Sequence, residues 1–348
     1  MEGGPAGARN GGDEVLAALG VHRLALPIPF AQAGGPVNAY LIDDGGGSVT
    51  LWDSGLSTDE CRAALEQGFA RAGRRIEEVS RVLVSHGHVD HFGLARMVSE
   101  RSGAKVLVHR DDWNKVLEGR NRAPRADDLL NLGVPAEHAA RIGQLHGHTS
   151  ALAQRLSSVE PLEPGTRFTF ARFEAEVLHF PGHTPGLVCL HDAAHRALFT
   201  DDHLLATVSP NPLLEPPDEQ GRRTHRALSA YLASVRRLHA MDLDWLMPGH
   251  GEPFQGHRAI IDSLLRFYTR RQDKIARALE SGPRSAYELV SQVFTEEGGL
   301  QLFLMLSEIV GNLEVLEDQG RAERVADAVP WRWRLTSLRG LPSKADRA

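Results

Sequence analysis

Cysteine is nearly missing: Cys61 and Cys189 are the two in 348 residues. That is too few for a disulfide framework or a thiolate zinc site, so both are expected inside as small apolar side chains. Long apolar runs are missing too, which removes a membrane-spanning helix and a membrane partner. The first residues, Met1-Glu2-Gly3-Gly4-Pro5-Ala6-Gly7, have neither the basic nor the apolar region of a secretory signal, and a cytoplasmic location is expected. Positive charge has no surplus: 39 Lys and Arg stand against 45 Asp and Glu, a formal net charge of -6. A balance of that sign offers no general attraction to nucleic acid or to an anionic membrane. Apolar content of 42% and charged content of 24% are those of an ordinary globular chain. The length suits one large domain plus a small one.

Histidine, by contrast, gathers where apolar runs stop. Val79-Ser80-Arg81-Val82-Leu83-Val84 reads as a buried strand and leads into His86-Gly87-His88-Val89-Asp90-His91. Phe92 to Val98 then reads as the first turns of a helix. A strand-to-helix loop lets side chains converge without spoiling a ladder or a core. Neutral imidazoles and a carboxylate are a ligand set for zinc, iron or manganese. One loop cannot enclose an ion, and three more strand ends carry His or Asp. Glu176 to Phe180 leads into Pro181-Gly182-His183, Ala197 to Thr200 into Asp201-Asp202-His203, and Leu243 to Met247 into Pro248-Gly249-His250. Each run stops at Gly, Pro or Asp, residues that break ladders and allow close approach to a ligand.

The order and spacing of these stretches resemble the metallo-β-lactamase superfamily over most of residues 20 to 255. The resemblance implies an α/β fold, an αββα sandwich. It implies two metal positions: His86, His88 and His183 at one, Asp90, His91 and His250 at the other, and Asp202 bridging them. Two zinc ions are the expected cofactor, with iron or manganese as alternatives. Asp53, at an earlier strand end, is expected to orient a ligand from behind. One position departs from the family pattern: Asp201 stands where Gly usually precedes the bridging Asp. Asp tolerates unusual backbone angles, and Asp202 is favoured as the ligand because it directly precedes His203-Leu204-Leu205.

The implied chemistry is hydrolysis by a hydroxide bridging the two ions, with Asp90 the catalytic group that accepts and passes on the proton. A small acyl ester, thioester or lactone is the expected substrate, as in the glyoxalase II and lactonase branches. The alternative is single-stranded RNA cleavage, because relatives with a similar C-terminal domain include an endonuclease. Larger RNA processors insert a domain before the last His, whereas 47 residues separate Asp202 from His250 here. True β-lactamases usually carry Cys at the bridging position, and no flavin domain is present for electron transfer.

Around this centre, residues 1–13 read as a disordered tail, 14–255 as the catalytic domain, and about 110–160 as a helical insertion, a candidate lid. The insertion contains His146-Gly147-His148, which lacks a preceding strand and a following Asp-His and is expected to bind no metal. His109, His179 and His203 are expected to pack or line the substrate site. Thr207 to Leu214, with two prolines, reads as a rigid loop whose Pro210, Asn211 and Leu213 could line the pocket. Residues 256–336 read as three helices and a hairpin, resembling a winged-helix domain, with a tail at 337–348. Winged helices often bind nucleic acid. From 258 onward, however, 14 Lys and Arg face 13 Asp and Glu, and Leu300 to Gln319 carries no Lys or Arg. Packing or a homodimer is the expected role. Residues 86–92, 180–187 and 200–215 contain no Lys or Arg either. The insertion mixes Arg120, Arg122, Arg125 and Arg141 with Asp111, Asp112, Asp127 and Asp128, and nucleic acid is not an expected partner.

Overall fold

The computed structural model describes residues 11–29, 35–118, 124–210, 212–215, 225–294 and 299–336. The expected tails at 1–10 and 337–348, and Arg120, Arg122 and Asn211, lie outside these residues. The first half comprises α1 (Gly11–Ala18), β1 (Val21–Leu26), β2 (Val37–Gly45), β3 (Ser48–Trp52), α2 (Asp59–Arg71) and β4 (Val79–Val84). Then come α3 (Val89–Phe92), α4 (Ala95–Ser102), β5 (Lys105–Val108), α5 (Trp113–Glu118), α6 (Ala126–Asn131) and α7 (Ala136–Ser150). The second sheet draws on β7 (Arg167–Thr169), β8 (Glu174–His179), β9 (Val188–Asp192), β10 (Ala197–Asp201) and β11 (Trp245–Pro248), with β6 (Glu160–Pro161) before them and α8 (Ala227–His239) between the last two. The chain closes with α9 (His257–Leu279), α10 (Ala286–Val293), α11 (Gly299–Asp318), β12 (Ala322–Arg324) and β13 (Trp333–Leu335).

Two sheets face each other, ordered β1-β2-β3-β4-β5-β6 and β11-β10-β9-β8-β7. The central strands β3, β4 and β10 are buried on both faces over most of their length, and alternate residues go to different cores. Val82 and Val84 of β4 turn toward the helices outside, with Leu65 and Phe69 of α2 and Val98 of α4, while Leu83 turns inward. Between the sheets lie Tyr40, Trp52, Phe173, Val177, Phe199 and Met247. Beyond the second sheet, Cys189, Leu198 and Leu246 meet Leu228, Leu232 and Val235 of α8 and Ile261 of α9. The order is helix, sheet, sheet, helix, as the resemblance implies. Thr58, whose Oγ1 accepts from the Cys61 N–H, caps the start of α2.

Two expectations change. The glycine-rich start is already helical at 11–13, because α1 buries Leu16 against the intersheet core. Asp90 and His91 lie within the short helix α3, not in a loop ahead of the helical segment. The insertion, a candidate lid, is packed against the C-terminal helices. Leu129 and Leu132 beside α6, with Ala139 and Ile142 of α7, share one core with Ile275, Leu289, Leu306, Ile309 and Leu313 of the C-terminal helices. Helix α11 runs through the middle of this core, touching α7, α8, α9 and α10. Burying Leu306, Ile309, Val310, Leu313 and Leu316 at about 1.5–3 kcal/mol each makes freeing that helix cost on the order of 10 kcal/mol.

Candidate metal centre

Four strand ends and one helix deliver the expected ligands to one buried place. His86 and His88 follow β4, Asp90 and His91 sit on α3, His183 follows β8, Asp202 follows β10 and His250 follows β11. His88 Nδ1 lies 3.0 Å from His86 Nε2 and 2.9 Å from His183 Nε2. Asp202 Oδ2 lies 3.5 Å from His183 Nε2, 3.5 Å from His91 Nε2 and 3.6 Å from His250 Nε2. Asp90 Oδ2 lies 3.6 Å from His250 Nε2 and 3.8 Å from His91 Nε2. The structure therefore brings together all seven expected residues, in two trios that meet at Asp202.

The hydrogen bonds on the outer side assign the tautomers. His91 donates from Nδ1 to Asp53 Oδ2 at 2.9 Å, which turns its Nε2 inward. His250 Nδ1 donates to the Pro36 carbonyl at 3.2 Å. Ser85 donates its hydroxyl to Asp53 Oδ2 at 2.7 Å and accepts from His86 Nδ1 at 2.9 Å, so His86 also turns Nε2 inward. The His250 loop is fixed by Asn38, whose side chain donates to Pro248 and Gly251 carbonyls, and by Tyr40, whose hydroxyl donates to Pro248 O at 2.7 Å. Gly249 allows the close approach, since a Cβ there would stand 2.4 Å from Asp202 Oδ1.

Asp201 has a place of its own. Its φ of 49° is left-handed, and the register between β10 and β11 shifts there. This bulge turns its side chain back between the sheets. Oδ2 accepts from Trp52 Nε1–H at 3.1 Å, and Oδ1 lies 3.1 Å from His91 Nδ1 and 3.3 Å from His86 Nδ1. It faces the outer nitrogens, whereas Asp202 faces the inner ones, so the geometry favours Asp202 as the ligand. Asp53 likewise adopts a left-handed φ of 59° at its strand end.

Burial, then the charge of Asp201, raises the Asp53 carboxyl. Burial alone would also raise Asp201, but His91 and His86 hold it low. Burial followed by the neighbouring His183 and His86 keeps His88 well below the usual imidazole range. Against burial, Asp202 and Asp90 lift His250 to about 9. Burial opposes a charged Asp90 as well, yet His91 and His250 hold its carboxyl below the ordinary value. His88 and His183 are thus held neutral by burial, while the carboxylates of Asp90 and Asp202 face His250. His91 Nε2, His183 Nδ1 and Asp202 Oδ1 are buried without a hydrogen-bond partner. Nitrogen ligands at ~2.0–2.1 Å from one zinc stand about 3 Å apart, close to the separations in the histidine trio. The residues fit metal binding.

His146, His109, His179 and His203 each lie against another ring. His146 lies on α7 against Phe303, ring centroids 4.7 Å apart, with Nδ1 3.2 Å from the Ile142 carbonyl. His109 stacks on His179 at 4.2 Å and 17°, and its Nδ1 accepts from the Asp111 N–H. His203 stacks on Phe180 and is fully buried. Leu213, expected near the pocket, leans on the C-terminal helices. Ser85 and the inward role of Asp201 escape sequence reading. A serine between a strand and a histidine carries no motif, and only the doubled Asp hints at the second.

The metallo-beta-lactamase superfamily model matches residues 33–250. Probable metallo-hydrolase YqjP of Bacillus subtilis (strain 168) is 31% identical over 310 residues, 84% of this chain and 91% of that protein. Hydroxyacylglutathione hydrolase GloC of Haemophilus influenzae is 29% identical over 161 residues, 44% of this chain and 64% of that protein. Among solved structures, a metallo-beta-lactamase family protein from Thermus thermophilus has a TM-score of 0.75 at 27% identity, covering 91% of this chain and 98% of that one. A beta-lactamase domain protein from Burkholderia ambifaria has a TM-score of 0.79 at 27% identity, covering 91% and 92%.

Proposed function

The chain belongs to the metallo-β-lactamase superfamily and is a metallo-hydrolase; within that family we propose that it is a dinuclear hydrolase of a small acyl ester, thioester or lactone. The observation that carries this reading is the meeting of the two trios at Asp202, whose Oδ2 stands within 3.6 Å of His91, His183 and His250. His86, His88 and His183 would hold one ion, Asp90, His91 and His250 the other, with Asp202 between them. Zinc, or iron or manganese on the same donors, supplies Lewis acidity toward a carbonyl and brings the pKa of water near neutrality. Asp90, anionic and 13% exposed at its side chain, takes the proton released as water adds to the carbonyl and delivers it to the leaving group. Asp53, Ser85 and the Pro36 carbonyl hold the rings at their outer nitrogens, so the inner nitrogens need no reorientation during turnover.

A relative named for hydroxyacylglutathione hydrolysis points to thioesters within this class. Cleavage of RNA would demand cations for its phosphates. The loops that carry the site have none, and the nearby Lys115 is already paired with Asp112 and Glu215. Helix α11 is buried along most of its length. The test is a panel of acyl thioesters, esters and lactones beside labelled single-stranded RNA, with metal counted in the same preparation. Chelator-sensitive acyl hydrolysis with close to two ions per chain is expected. RNA cleavage lost in His88→Ala, with no acyl substrate turned over, would overturn the substrate class.

A further inference from the structure

Asp112 sits in the turn after β5, outside every histidine motif, and its side chain is fully buried. Its Oδ2 accepts two hydrogen bonds, from the Gly87 N–H at 2.9 Å and from Thr184 Oγ1 at 2.6 Å. Gly87 lies between His86 and His88, and Thr184 follows His183. One oxygen atom therefore ties together the two loops that supply the histidine trio, and those loops rise from different sheets. Both loops close tightly around it. A Cβ on Gly87 would stand 2.8 Å from Lys115 Cδ and 3.1 Å from Asp112 Cβ, and one on Gly186 would stand 2.9 Å from Asp112 Cγ. The two glycines thus yield space to Asp112 and the lysine paired with it. Lys115 Nζ lies 3.2 Å from Asp112 Oδ1 and 2.5 Å from Glu215 Oε1.

A buried carboxylate is costly unless paired and hydrogen-bonded. Asp112 meets both conditions, and both of its short bonds end next to the three histidines. A carboxylate that merely filled space would have no reason to bond these two loops with a single oxygen. We propose that Asp112 is a positioning residue for the trio His86, His88 and His183, fixing their separation through Gly87 and Thr184, with Lys115, itself held by Glu215, balancing its charge. The proposal rests on the dinuclear reading above.

Metal titration with a competing chelator tests it on Asp112→Ala, Asp112→Asn and Thr184→Val, with the unfolding temperature of each metal-free protein measured in parallel. Asp112→Ala should retain one ion at wild-type affinity and bind the other about 10- to 100-fold more weakly. Asp112→Asn keeps an acceptor oxygen for both donors and should recover most of that loss. Thr184→Val removes one bond without touching the buried charge and should weaken the same ion by a smaller factor. A lowered unfolding temperature with both affinities unchanged would overturn the proposal, as would equal weakening of both ions. If Asp112→Ala fails to fold, Thr184→Val decides: selective weakening supports the positioning role, and unchanged affinities refute it. Fewer than two ions on the wild-type chain would instead overturn the dinuclear reading beneath it.

Discussion

Replacing Asp201 separates its role from that of its neighbour, because the two adjacent carboxylates face opposite sides of the same rings. In Asp201→Ala, Trp52 Nε1–H loses its acceptor at 3.1 Å, a buried unsatisfied donor costing about 1–3 kcal/mol. Alanine must also adopt the φ of 49°, at about 1–2 kcal/mol. The summed destabilisation is about 2–5 kcal/mol. Asp201→Gly escapes the second cost and should be the more stable variant by about 1 kcal/mol, a difference readable in denaturant unfolding of the metal-free protein. Losing the oxygen behind His86 and His91 should weaken metal binding about 10- to 100-fold, or about 1.4–2.7 kcal/mol, without removing either ion under saturating metal. Asp202→Ala should behave differently, because Asp202 contributes to both trios, and elemental analysis should find metal lost from both. If Asp201→Gly empties the site while Asp202→Ala keeps two ions, the register is wrong and Asp201 is the ligand. If alanine proves as stable as glycine at 201, the left-handed backbone there is not real.

Other outcomes follow from the same geometry. His88→Ala removes the nitrogen between His86 and His183 and should lower metal content and acyl hydrolysis by orders of magnitude, as measured on one preparation. Gly249→Ala places a Cβ 2.4 Å from Asp202 Oδ1 and 3.1 Å from His91 Cε1; metal content should fall with little change in the far-ultraviolet circular dichroism. His146→Ala should lower stability by about 1–2 kcal/mol through lost packing on Phe303, and His148→Ala should not; neither should change the metal count. Both thiols should resist a disulfide reagent at pH 8 until the chain unfolds, since burial pushes Cys61 up to about 12 and raises Cys189 well above the ordinary thiol value. Rapid labelling of the native protein would refute that burial.

How much of this was legible in the sequence depends on whether a residue's task is local. A ligand at the end of an apolar run announces itself, because a polar imidazole beside glycine interrupts a strand that would otherwise stay apolar. That is why His86, His183 and His250 could be read, and why both sheets appeared as continuous apolar strands. Asp112 and Ser85 have no such local signature. Their partners come from other strand ends, and a lone Asp after a strand reads like any turn residue. The C-terminal region shows the same division. Its three helices and hairpin follow from periodicity and caps, including the Ser285–Glu288 capping box. Periodicity says that a helix has an apolar face but not what covers it. Only the fold places Leu129 and Ile142 of the insertion against Leu289 and Leu306, giving the candidate lid and the C-terminal helices one core. Lys115 and Glu215 then pair across 100 positions of the chain, linking the turn behind the histidine trio to the segment leaving Asp202. Leu213 and Leu214 of that segment lean in turn on the core that the insertion shares with the C-terminal helices.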